Sequence, residues 1–139
     1  MTMNELSILR LVMDTAMLMV IWLVQLVIYP AFRAIERARF IDWHHRYMRT
    51  FSFIVIPPML LQAGIIAFQC IHAPSPAAVA SAVAVATAWL TTFTLSVPCH
   101  RKLQLLGNTP DWTDRLIHTN WIRTAAWSLA WLLNGFQRG

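Results

Sequence analysis

Two histidines, a tyrosine, an asparagine and an arginine stand at spacings that could serve one chemical site. Phe40, His44, Tyr47 and Phe51 recur at steps of four, three and four. On a helix turning about 100° per residue, such steps fall on one stripe. Arg39, Asp42, Arg46 and Arg49 fall on the opposite face, and His45 lies at the boundary. Trp89, Phe93, Ser96 and His100 repeat the same steps further along the chain. Asn120, Arg123, Thr124, Trp127 and Trp131 share one side of a last helical segment, while Asp111, Asp114, Arg115 and His118 share the other. The charged faces should meet headgroups or water, so the aromatic and histidine stripes are expected to face protein. His45 and His118 are expected to be solvated.

The chemistry open to the inward set is limited by residue type. His44 and His100, on neighbouring helices, could ligate haem or a metal ion through imidazole nitrogen. Arg123 and Asn120 could hold an anionic or carbonyl group of a substrate at low dielectric. Tyr47 could donate a hydrogen bond or a proton. Trp89, Phe93, Trp127 and Phe51 would supply an apolar wall for a flat lipophilic molecule. The expected catalytic set is therefore His44, Tyr47, Asn120 and Arg123. The expected cofactor-binding set is His44, His100, Trp89, Phe93 and Trp127. An ordinary packing role competes with each of these, because aromatic stripes at helical spacing usually build cores. Zinc-protease, phosphate-loop, paired-cysteine and serine-nucleophile patterns are absent from the sequence.

Those stripes need helices to carry them, and composition says where the helices sit. The 139 residues are 58% hydrophobic and only 12% charged, against about 25% charged in soluble domains. A bilayer resolves that imbalance. Spans need about 20 apolar residues. The chain predicts an all-α integral membrane four-helix bundle, one domain over 1–139, with helices at about 7–29, 35–71, 77–106 and 110–134. Pro30 is expected to stop the first helix. Pro57-Pro58 is expected to interrupt the second, because prolines remove backbone donors. Thr109 is expected to cap the fourth, with Pro110 at its first position. Sustained two-residue alternation is lacking, which disfavours a barrel. The first apolar run is too long for a signal h-region and reads as a retained anchor.

Charge sets the orientation. Arg33, Arg37, Arg39, Arg46 and Arg49 lie in or beside the first loop, and Arg101, Lys102 and Arg115 flank the third. Arg10 and Arg138 are on the other side. The positive-inside rule then places loops one and three in the cytoplasm and both termini outside. The net charge of +5 is expected to meet anionic lipid headgroups rather than nucleic acid. Cys70 and Cys99 fall near opposite membrane faces and should not pair.

Two intramembrane charges complete the polar set. Arg123 lies roughly 10 Å inside the apolar boundary at 1.5 Å per residue. An acidic partner for it would be Glu36 or Asp42. Asp14 follows Arg10 by four residues, the spacing of an ion pair along one helix face. Asp14, Gln25 and Gln62 could alternatively line a proton or ion path.

The run Tyr29-Pro30, then Phe40 to Tyr47 (FIDWHHRY), Pro57-Pro58-Met59, Val97-Pro98-Cys99-His100 with Leu103, and Asn120 to Thr124 (NWIRT) resembles the plan of the small anthrone-oxygenase-like membrane proteins. The resemblance covers most of the chain in order of features. It implies a four-helix membrane fold, and some members act as oxygenases on polycyclic phenolics. The expected function is a membrane-embedded enzyme, or a redox or cofactor-binding protein, acting on a lipophilic small molecule near the cytoplasmic face of the inner membrane. Two alternatives stay open. One is an accessory subunit of a larger membrane complex, favoured by small size and seven Trp. The other is a small proton-coupled transporter, which four helices would support best as a homo-oligomer.

Overall fold

A computed structural model describes residues 2–136. Four helical rods form it, and no strand occurs among the described residues. We label them α1 (residues 3–34), α2 (Arg37–His72), α3 (Pro76–Leu106) and α4 (Pro110–Phe136). The short loops at 73–75 and 107–109 make neighbours antiparallel. Each rod packs on the next, and α4 closes the ring against α1. The α3–α4 seam is the most extensive, and α2 touches its neighbours over shorter stretches.

Local sequence explains the seam. Ala84 and Ala88 of α3, and Ala126 and Ala130 of α4, are all buried at four-residue spacing. Small side chains in that rhythm let two helix backbones approach closely. Loop three is held from within: Asn108 donates from Nδ2 to the Phe32 and Ile35 carbonyls at 2.6 and 3.3 Å. That satisfies acceptors that the end of α1 leaves open. Gly107, at φ 78°, makes the turn that follows α3, a conformation costly for other residues.

The helix limits differ from expectation at three prolines. Pro30 does not stop α1, which continues to Ala34. The turn before it, Val24–Ile28, is π-helical. Pro98 in α3 is preceded in the same register by a second π turn, Thr92–Ser96. A proline ring clashes with the carbonyl four residues earlier. In both rods that carbonyl, of Leu26 or Thr94, lies inside the widened turn, so the clash is relieved and the helix continues. Pro57-Pro58 does not interrupt α2 either; its α-helical turns run unbroken from Arg37 to His72. At the other end, α1 starts at Met3, earlier than the apolar run suggests, because Thr2 and Glu5 form a capping box. Thr109 does not cap α4 through its hydroxyl, which has no hydrogen-bond partner among the described residues.

Among the described residues, three helices are long and apolar enough to cross a membrane by length and composition. The expectation was four. The fourth, α4, is diluted by polar residues that point inward: Thr113, Asn120, Arg123, Thr124 and Asn134 are buried. Its outer face is apolar like the others, with Trp121, Ile122, Leu129 and Leu132 all near half-exposed. Bulky apolar residues such as Met19, Phe53, Ile71 and Leu90 are likewise exposed on α1, α2 and α3.

Arg10 corrects the charge tally. It is fully buried, so it is not a flanking surface charge. Arg138 lies outside the described residues. The two cysteines are unbonded to each other, as expected, with Cys99 buried and Cys70 half-buried.

Candidate functional site

The two π turns sit beside one polar cluster, which they help to shape. The α1 turn precedes Tyr29 and contains Gln25; the α3 turn ends at Ser96, one helical turn before His100. π turns shift the helical register and recur at functional sites. From α4, Arg123 reaches into this cluster. Its Nη1 lies 3.0 Å from Ser96 Oγ, 3.0 Å from Asn120 Oδ1 and 3.3 Å from the Tyr29 hydroxyl. Two hydrogens on that nitrogen are shared among three oxygens. The guanidinium also lies 5.4 Å from the centre of the Trp127 ring, within cation–π range. Asn120 is held in turn by Gln25, whose Oε1 accepts from Asn120 Nδ2 at 2.8 Å.

The partners of Arg123 are all neutral. Among the described residues it forms no ion pair: Glu36 pairs with Arg39 instead, and Asp42 is exposed. The acidic partner expected from the sequence is therefore not there. Glu36 lies in the turn between α1 and α2, and Asp42 faces away from the bundle on the charged side of α2.

A column of hydrogen bonds leaves the cluster toward the loop-one and loop-three end. The Tyr29 oxygen is 3.0 Å from His100 Nε2. His100 Nδ1 is 3.0 Å from His44 Nε2. His44 Nδ1 is 2.7 Å from Gln104 Oε1, and Gln104 donates from Nε2 to the Ile41 carbonyl at 3.2 Å. Phe32 meets both histidine rings edge-on, and Phe40 is stacked on His44 at 5.3 Å.

Beside the column is a cavity of about 290 Å³, lined chiefly by α2 and α3. Its floor carries Tyr29, Ser96, His100 and Arg123, and Tyr47, Phe51, Met59 and Trp89 form its walls. The rim is made by Ile56 and Leu60 of α2 with Phe93 and Val97 of α3, all exposed on the outer surface of the bundle. Three buried nitrogen or oxygen atoms of the lining have no hydrogen-bond partner among the described residues: Tyr47 Oη, Trp89 Nε1 and Arg123 Nε. Each carries a hydrogen it can donate. Leaving such groups unpaired costs about 1–3 kcal/mol apiece, and all three atoms lie beneath the cavity surface rather than on it.

The residues singled out from the sequence separate into groups. Tyr47, Trp89, Phe93, His100 and Arg123 line the cavity. His44 stands behind His100 and does not reach the lining. Asn120 stands behind Arg123 and positions it. Trp127 is not a cavity wall: it is buried behind Arg123 and donates from Nε1 to Gln62 Oε1 at 3.0 Å. His45 and His118 are exposed, as their faces predicted. Direct haem ligation by His44 and His100 does not fit. Two imidazoles on opposite faces of one metal place their nitrogens about 4 Å apart, twice the usual metal–nitrogen distance, with a macrocycle between the rings. Here the facing nitrogens are in hydrogen-bond contact, and both outer nitrogens are engaged by Tyr29 and Gln104. Among the described residues no cluster of three or more His, Cys, Asp or Glu could hold a metal ion.

Sequence reasoning missed Tyr29, Gln104 and Gln25 as members of the site. Tyr29 looked like the membrane-border end of α1. Its four-residue spacing from Gln25 was the available signal, since both then face the same neighbour.

A second polar network occupies the other half of the bundle. Arg10 and Asp14 pair at 3.4 Å, at the expected four-residue spacing. Arg10 Nη1 donates to Gln69 Oε1 at 2.7 Å. Asp14 accepts from Gln62 Nε2 at 2.7 Å and from Asn134 Nδ2 at 2.8 Å. The path suggested by Asp14, Gln25 and Gln62 is thus divided: Gln62 joins Asp14, and Gln25 belongs to the Arg123 cluster.

No protein family, no curated protein and no solved structure matches this chain.

Proposed function

We propose that the protein is a small enzyme embedded by four helices in the bacterial inner membrane, acting on a lipophilic, ring-bearing substrate near the cytoplasmic face. The observation that carries this reading is Arg123. It is a buried cation with neutral partners, set in the floor of an otherwise apolar cavity. A charge in mid-bilayer costs about 2.5–3.5 kcal/mol on insertion scales. An oxygen that is anionic, or becomes so during reaction, offsets that cost where the dielectric is low. The aromatic lining suits a flat molecule with two or three fused rings. A phenol or the keto form of one meets all these demands. The likeness in plan to the anthrone-oxygenase-like proteins supports the same substrate class.

The membrane setting rests on inverted polarity. Apolar residues cover the outside of all four helices, while Arg10, Asp14, Gln25, Gln62, Asn120 and Arg123 are buried. In hydrocarbon, polar groups must find their partners inside the bundle. The exposed basic residues Arg37, Arg39, Arg46, Arg49, Arg101 and Lys102 gather around loops one and three, which favours a cytoplasmic position for those loops. The cavity rim, between α2 and α3, then opens toward lipid, the phase in which such a substrate dissolves.

The test uses the full chain in lipid nanodiscs, titrated with 2-naphthol and followed by tryptophan fluorescence. Saturable binding that weakens about 10- to 100-fold in Arg123→Leu is expected, the range of a lost charge-assisted hydrogen bond. Equal affinity in the two proteins would remove Arg123 from the site and end this reading.

A further inference from the structure

The column from Tyr29 to Gln104 has a sense that its hydrogen bonds dictate. Gln104 donates its amide nitrogen to the Ile41 carbonyl, so its oxygen faces His44. His44 Nδ1 must then be the donor. In a neutral ring that leaves His44 Nε2 as an acceptor, and the hydrogen bond it receives has to come from His100 Nδ1. His100 Nε2 is then an acceptor as well, filled by the Tyr29 hydroxyl. Tyr29 in turn receives from Arg123. A single assignment therefore satisfies the chain, with both histidines in the Nδ1–H form. A neutral histidine in water prefers the Nε2–H form, so two adjacent rings in the other one make a specific signature.

We propose that this column is a proton conduit with Tyr29 as the catalytic base at its cavity end and Gln104 at its cytoplasmic end. The inference rests on the substrate reading above and names the group that acts within it. Tyr29 lines the cavity floor beside Arg123 and is almost fully buried. Gln104 is half-buried and sits three residues before the loop. The transfer balances without any change of oxidation state. The O–H or acidic C–H bond of the substrate breaks, and that proton joins the Tyr29 oxygen. The Tyr29 proton passes to His100 Nε2, the His100 Nδ1 proton passes to His44 Nε2, and the His44 Nδ1 proton leaves to water beside Gln104. The electron pair stays on the substrate, whose new negative charge lies next to Arg123. Both rings end in the Nε2–H form, and a proton returning by the same route restores the starting state. His44 and His100 relay the proton; Gln104 and Asn120 are positioning residues, the first for His44 and the second for Arg123.

The conduit is tested without a substrate by long-range proton–nitrogen correlation NMR on histidine-labelled protein in nanodiscs. The five histidines are assigned with His44→Gln and His100→Gln variants. The wild type should show His44 and His100 as Nδ1–H and the exposed rings in the ordinary form. Finding either relay ring as Nε2–H or doubly protonated would overturn the proposal. Tyr29→Phe removes the donor to His100 Nε2, so that nitrogen should shift to the position of an unbonded acceptor while Nδ1 stays protonated; an unchanged Nε2 signal would also overturn it. A second measurement adds 2-naphthol to weakly buffered nanodiscs containing a pH dye. Wild type should release a proton on binding, and His44→Phe should bind equally but release it about 100-fold more slowly, the scale of a lost acid–base relay. Binding with unaltered release in the variant would sink the conduit alone. Failure of naphthol to bind would sink the substrate reading, with the tautomers still deciding the conduit.

Discussion

Arg10 and Arg123 are both buried arginines inside the same bundle, and they are solvated in opposite ways. Arg10 has a carboxylate, Asp14, on its own helix, and that carboxylate is held by Gln62 and Asn134 from two other helices. Arg123 has hydroxyl, amide and aromatic neighbours and an apolar cavity in front of it. The first arrangement closes on itself and ties α1 to α2 and α4. The second leaves positive potential directed at a space where a ligand fits. A buried ion pair and a buried lone cation look alike in a hydropathy profile, yet one is closed by its own carboxylate and the other borders a cavity.

The largest expected effect comes from breaking the closed network. Asp14→Leu leaves the Arg10 charge without its carboxylate and should destabilise the fold by about 3–5 kcal/mol, read from denaturant unfolding in detergent micelles. The double variant Arg10→Met with Asp14→Leu should recover about 1–4 kcal/mol of that loss, because replacing both charges removes the stranded one. If the double variant were no better than the single, the pair would not be acting as a unit.

Arg123→Leu should cost less stability, about 1–3 kcal/mol for the Asn120 oxygen left unpaired, since no buried anion is stranded, but bring a large fall in 2-naphthol affinity. A loss of stability as great as that of Asp14→Leu would erase the contrast between the two regions. The smallest effect is expected at the cavity wall. Tyr47→Phe deletes a hydroxyl that has no partner among the described residues, so stability should hold or rise slightly. Naphthol binding should change by less than about 2-fold, because that hydroxyl lies beneath the cavity surface. Gln62→Leu, in the closed network, sharpens the comparison from the other side: it should lower stability by about 1–3 kcal/mol, the cost of unpaired buried groups, and leave naphthol affinity unchanged.

Much of the site was legible one helix at a time. The stripes through His44 and Tyr47, through Trp89 and His100, and through Asn120 and Arg123 turn inward except at Phe93, which is exposed at the cavity rim, because a 3.6-residue period is a property of covalent geometry and reads directly from spacing. The exposed positions of His45 and His118 follow from the same rule. What failed was assigning partners. Glu36 lies in the turn between α1 and α2 and pairs with Arg39, and Asp42 lies on the exposed face of α2, so neither reaches Arg123. Trp127 shared a stripe with Arg123 and yet stands behind it, since a helix face is broad enough to meet two neighbours at once. The haem or metal expectation required His44 and His100 to face a common space, whereas they face each other.

Composition and local rhythm were enough for an all-helical chain, for its four rods and for the polar face of each. Those features depend on interactions within about one helical turn, so neighbours in sequence carry them. The Tyr29–His100–His44–Gln104 column depends on three helices meeting at hydrogen-bond distance. Two π turns, each just before a proline, rotate Tyr29 and His100 away from the register an ideal helix would give. Hydrogen bonds fail within a few tenths of an ångström of the right distance, a tolerance that spacing rules do not reach. Packing between rods therefore chose which inward residues joined the hydrogen-bonded column, which became an ion pair, and which were left facing the cavity.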